Sequence, residues 1–166
     1  MQLDTITELL QIPGYKVRHM VSCTGNRIEL LLEREDERAR VCSGCGKVHT
    51  TAVHSEGSVL LEDLPISGKR VYLHVPKRKA VCPEDGSIRV EELKWVRGRF
   101  TKRFADQVYR LTAITTNKEA GWFLGIDDET VYRLDKGMLE ELALEKIEKV
   151  KSPRHMSVDE VAWQKW

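Results

Sequence analysis

No run of apolar residues in this 166-residue chain approaches the roughly twenty needed to cross a bilayer, so a membrane-spanning role is not expected. Met1-Gln2-Leu3-Asp4 has no basic stretch followed by an apolar run, so a secretory leader is not expected either, and the cytoplasm is the default compartment. Cysteine is scarce, four in all; in a chain without an export signal that points away from disulfides and toward metal. There is no internal repeat, no low-complexity tract and no heptad pattern sustained over three repeats. Solenoids and long coiled coils are thereby excluded.

The near absence of net charge, +1 overall, conceals an uneven distribution. Residues 66–110 carry 12 Lys/Arg against 5 Asp/Glu, whereas 1–65 and 111–150 are net acidic. A phosphate-binding surface is expected in that middle segment, with a merely solvated face as the alternative.

Three of the four cysteines have metal-ligand spacing. Cys42-Ser-Gly-Cys45-Gly46 places two thiols at a tight turn, and Cys82 lies at the end of a basic stretch forty residues on. A tetrahedral zinc can be closed from these three plus one more ligand. Asp85 occupies the second-ligand position of Cys82-Pro-Glu-Asp85-Gly86, giving Cys3Asp; His49 or His54 would give Cys3His. Lys77-Arg78-Lys79 is expected to offset the negative charge of such a set. The alternative is metal-free core or redox cysteines. Cys23, alone in a strand, is expected to be a buried small hydrophobe.

The pattern predicts a helix from Asp4 to Leu10 stopped by Pro13-Gly14, then a hairpin of Val17–Cys23 and Ile28–Glu33. Further strands are expected at 59–61 and 71–75, making a zinc-ribbon-like β module over residues 15–93. From residue 99 the period becomes helical, with Phe100, Phe104, Val108, Leu111 and Ile114 on one stripe. Thr116 or Asn117 caps a second helix ended by Gly125, and Asp127 caps a third. Gly121, Gly125 and Val131 fit the crossing residue, turn residue and pinning residue of a helix-turn-helix; three bundle helices are the alternative.

Between the two parts, Lys94-Trp95-Val96-Arg97-Gly98-Arg99 reads as a basic arm for a minor groove or for phosphates, extended by Lys102 and Arg103. Tyr132 and Arg133 are the expected contacts from the third helix, whose acidic start, Asp128-Glu129, suits a helix N-terminus. Residues 138–150 read as a connector helix, with a dimer helix as the lesser alternative. Ser152-Pro153-Arg154 marks a boundary before Ser157-Val158-Asp159-Glu160, where Asp159 is a candidate ligand of a catalytic Mg²⁺. The expected domains are 1–93, 94–150 and 151–166.

The order of these motifs, with Asp63-Leu64-Pro65 and Gly68 ahead of Cys82, resembles the N-terminal part of ISL3-type bacterial transposases. The resemblance implies an α+β chain: a zinc-ribbon-like module, a helix-turn-helix domain, and the first strand of an RNase H-like DDE domain. It further implies recognition of double-stranded DNA at terminal inverted repeats. Asp159 would be the first of three acidic residues of a Mg²⁺-dependent phosphoryl-transfer enzyme that this chain does not complete. Asp85 departs from that family, which usually has a fourth Cys at its position. The competing expectations are a stand-alone DNA-binding regulator derived from a transposon and a zinc-braced protein-interaction module.

Overall fold

The computed structural model describes residues 3–35 and 40–149, without the side chains of 145–149. Asp159, the boundary at 152–154 and the expected RNase H-like strand lie outside the described residues.

The chain opens with α1 (Leu3–Leu10), whose Ile6 and Leu10 turn inward. Strands β1 (Tyr15–Thr24) and β2 (Arg27–Arg34) follow as an antiparallel hairpin through the two-residue turn at Gly25-Asn26. A long second hairpin, β5 (Val53–Ile66) and β6 (Lys69–Val81), turns at Ser67-Gly68, where both residues have positive φ (51° and 75°). Such a turn matches the right-handed twist of the strands it joins. Between the hairpins lies the short pair β3 (Arg40–Val41) and β4 (Val48–His49). The chain then passes through β7 (Ile88–Val90), β8 (Val96–Arg97) and β9 (Phe100–Thr101) into α2 (Lys102–Thr112), α3 (Asn117–Leu124) and α4 (Asp128–Lys149).

The main sheet runs β1-β2-β6-β5-β9-β8, with β7 added at the far end of β6. The β2–β6 contact is parallel, Arg27 to Leu31 beside Arg70 to His74. Alternation decides which face is buried: Leu30, Leu73 and Val75 point inward onto α1, while Tyr72 and His74 are half-exposed on the other face. A second core lies under α2, α3 and α4, built from Phe104, Val108, Ala120, Val131 and Met138.

The two cores are joined by a buried polar contact. Asp63 on β5 accepts from the Thr101 hydroxyl at 2.7 Å and from two Arg103 nitrogens, Nε at 2.7 Å. Arg103 also donates to the Leu10 carbonyl, so one guanidinium touches sheet, α1 and α2 together.

The α3 region follows the local signals closely. Thr116 caps α3 in a reciprocal box with Glu119, and Gly125 ends it in the left-handed conformation (φ 71°). Asp127 accepts from the Thr130 amide at 2.7 Å at the start of α4. Gly121 is required sterically, since a Cβ there would come within 2.6 Å of the Ile126 carbonyl oxygen. Thr116→Ala is expected to cost about 1 kcal/mol in thermal melts.

Hydrogen bonds to the ionised forms hold both capping carboxylates below their usual range: Glu119 through Thr115 and Thr116, Asp127 through Thr130. A carboxyl lowered in the folded state stabilises above its unfolded value and loses that contribution as acid protonates it. Protection factors of the α3–α4 amides, exchange rates corrected for the intrinsic pH dependence, should therefore fall as pH falls below about 4.

Three expectations need correction. Ile114 does not continue the apolar stripe; α2 ends at Thr112 and Ile114 is 83% exposed in the following turn. Cys23 is exposed, because the outer half of β1 runs beyond the strand positions that α1 covers. Residues 138–149 are not a separate connector, because α4 is one 22-residue helix.

Candidate metal centre and basic groove

Two turns of the same construction face each other. In the first, Cys42 N–H donates to the Lys47 carbonyl and Gly46 N–H to the Cys42 carbonyl, at 2.9 Å each. In the second, Cys82 N–H donates to the Ser87 carbonyl and Gly86 N–H to the Cys82 carbonyl, at 2.8 Å each. Gly46 and Gly86 take positive φ (70° and 68°), which closes each turn so that the leading cysteine points to the middle. Pairing of Val41 with Val48, and of Val81 with Ile88, anchors the two knuckles, and a bridge between Cys42 and Glu91 joins them.

The ligand atoms of Cys42, Cys45, His49 and Cys82 all lie within 4.8 Å of one another. Cys82 Sγ is 3.8 Å from Cys45 Sγ and 3.9 Å from His49 Nε2, and Cys45 Sγ is 3.0 Å from the same nitrogen. A tetrahedral zinc with ordinary bond lengths has S···S edges of about 3.8 Å and S···N edges of about 3.6 Å. The cluster therefore has the size and donor chemistry of a closed structural site. Backbone amides of Cys45 and Gly44 pull the Cys42 thiol below its ordinary value, favouring the thiolate that metal binding needs.

The structure places Asp85 elsewhere. Its carboxylate accepts from the Ser87 amide (3.0 Å) and hydroxyl (2.7 Å) and from Arg89 (2.8 Å), contacts that hold it well below the carboxylate range. The reason lies in register. His49 is seven residues after Cys42, and Arg89 is seven after Cys82, at equivalent places in the two knuckles. In one knuckle the pair is Cys45 with His49, both ligand types; in the other it is Asp85 with Arg89, an ion pair. His54, the other alternative, is absent from the cluster.

The cations beside the thiolates also differ from expectation. Lys47 and Arg89 are both raised in part by the charge of Cys82, after their larger contacts with Glu84 and Asp85. Arg89 lies against Gly44, whose missing Cβ leaves it room. Arg78, from the expected Lys77-Arg78-Lys79 patch, instead pairs with Glu56, while its amide donates to buried Glu91. No pattern in the sequence marks Arg89; only its register with His49 would have found it.

The expected DNA contacts fall into two groups. Arg103 is engaged internally with Asp63 and Leu10. The arm around Arg97 is a small hairpin, β8 and β9, attached to the sheet through Glu62 and Phe100. Arg97 and Lys102 both reach Glu141 on α4, Lys102 at 2.8 Å. Lys94 is exposed beside Trp95. Arg97, Arg99 and Arg133 line one open groove of about 320 Å³ between the β8–β9 turn and α4. Tyr132 stands exposed on the adjoining side of the helix.

Residues 38–85 match the zinc-finger of transposase IS204/IS1001/IS1096/IS1165. The finger is of the ISL3-transposase type. The resemblance read from the motif order thus holds, and the Cys3His cluster inside this ISL3-type finger supports a structural zinc. The chain is also 34% identical, over 109 residues, to the transposase for insertion sequence element IS1001 of Bordetella parapertussis. That match covers 61% of this chain and 25% of the relative, so the chain spans about a quarter of the length of the curated relative it matches. No solved structure matches. Among the described residues, no helix is long and apolar enough to cross a membrane.

Proposed function

We propose that this chain is the DNA-binding front part of a DDE transposase, recognising the terminal inverted repeats of its own insertion element. The observation that carries the reading is the groove at α4. Three arginines from the β8–β9 hairpin and α4 line it, and α3 ends ahead of α4 in a left-handed turn at Gly125. In this reading α3 and α4 form the helix-turn-helix. Tyr132 faces the major groove, Arg97, Arg99 and Lys102 meet the backbone, and the zinc knuckles brace the sheet that carries the hairpin.

The transposase similarity supports a partner that is double-stranded DNA; in this reading strand cutting and joining belong to the complete enzyme. There Asp159 would be one ligand of a catalytic Mg²⁺ (a role resting on the family resemblance alone). Selection of bound duplexes from a random pool should enrich one repeat-like site, with affinity falling steeply as salt rises. An unenriched pool or salt-independent binding would contradict the reading. In that event a protein-interaction module becomes the better account, favoured by Trp122 and Phe123, which stand 85% and 67% exposed on α3.

A further inference from the structure

The groove between the β8–β9 turn and α4 has a chemistry more specific than general basicity. Arg97, Arg99 and Arg133 line it, and no carboxylate does. Arg99 stacks with its guanidinium carbon 5.1 Å from the Phe100 ring centroid, and among the described residues it has no carboxylate partner. Arg133 is turned along its own helix by the Thr130 hydroxyl, which accepts from it at 3.1 Å. That hydroxyl in turn donates to Asp127 at 2.8 Å. Glu141 holds Arg97 from outside the lining, so Arg97 is fixed in direction while remaining part of the wall.

Three arginines lining one space that has no carboxylate among its lining residues suit an anion. A base edge is neutral and offers at most a bidentate acceptor to a single arginine, so at least one of Arg99 and Arg133, neither of which has a carboxylate ion pair among the described residues, would face it without a counter-charge. Tyr132 and Lys136, one helical turn apart, occupy the exposed face of α4 next to the groove.

We propose that the groove seats one backbone phosphate of the duplex, so that Arg133 clamps the backbone and base reading falls to Tyr132 and Lys136. The proposal rests on the DNA-binding reading above. It fixes how α4 meets the duplex, with the hairpin flank on the sugar-phosphate chain and the Tyr132 flank toward the bases.

The test is a salt titration of the wild-type chain, Arg99→Ala, Arg133→Ala and Arg133→Lys on the selected duplex and on a scrambled one, with thermal melts as a folding control. Arg99→Ala and Arg133→Ala should each weaken both duplexes by a similar factor and flatten the log–log salt slope by about 1. Arg133→Lys, which keeps the charge and loses the fork, should restore most of that slope. A repeat selection with Arg133→Ala should enrich the wild-type site, whereas Tyr132→Ala should change it. The seat is overturned if Arg133→Ala changes the enriched site at unchanged slope, or if neither alanine variant alters the slope while wild-type protein binds. Failure of the wild-type chain to bind any duplex would instead remove the DNA reading itself, and the seat with it.

Discussion

Cys82→Ser should dismantle both knuckles while leaving the main sheet folded. The apolar core around Leu30, Leu73 and Val75 draws no residue from 40–53 or 80–91. The knuckles are thus held by short strands, the Cys42–Glu91 bridge, and whatever ties their side chains together. Cys82 is the sole ligand from the second knuckle in the cluster, and it is 2% exposed. Structural zinc contributes on the order of 10–16 kcal/mol of apparent binding energy in small finger peptides, so losing one ligand of four removes several kcal/mol locally. Hydrogen exchange should show the amides of Cys42, Gly46, Cys82 and Gly86 losing protection in the variant, and equally in wild-type protein treated with a chelator. Protection at Leu30 and Leu73 should persist. Unchanged protection at the knuckles would mean that their backbone holds them without metal.

Asp63→Ala should be strongly destabilising although it lies outside both the knuckles and the apolar cores. Asp63 is 1% exposed and receives hydrogen bonds from Thr101 and Arg103. Removing it leaves the Arg103 guanidinium facing a buried gap and frees Thr101, the N-cap of α2. Breaking a buried pair by deleting one partner costs about 3–5 kcal/mol. Arg103 is about a third exposed, and solvent screening puts the expectation at the lower end, ~3 kcal/mol. Urea midpoints give the measurement. The double variant Asp63→Ala/Arg103→Ala should be less destabilised than the sum of the singles, because no uncompensated charge remains. Strict additivity would show that the pair does not couple sheet to helices.

What the sequence made legible was mostly local. Thr116, Gly121, Gly125 and Asp127 each act within a few residues, so their types announced the α3–α4 turn before any tertiary contact was known. The same holds for Gly46 and Gly86 behind their cysteines. The fourth position of the cluster was not local. Asp85 and His49 both had usable spacing, and the choice depends on which side chain finds a nearby partner first: Asp85 has Ser87 and Arg89 within its own turn. The basic arm shows the same limit at longer range. Arg97 and Lys102 reach Glu141 about forty residues later, and nothing in the charge pattern of 94–103 indicates that. Sheet order is likewise set by packing, since neither β2 nor β6 carries a mark of their parallel pairing.

Zinc-edge X-ray absorption on the purified, zinc-loaded chain tests most directly whether one ion ties the two knuckles together. The account predicts three sulfur scatterers near 2.3 Å and one imidazole nitrogen at about 2.0–2.1 Å, with a stoichiometry of one zinc per chain. His49→Ala should replace the imidazole signature, while Asp85→Asn should leave the spectrum unchanged. A shell of three sulfurs and a carboxylate oxygen that is lost in Asp85→Asn, or a folded chain that retains no metal, would contradict it.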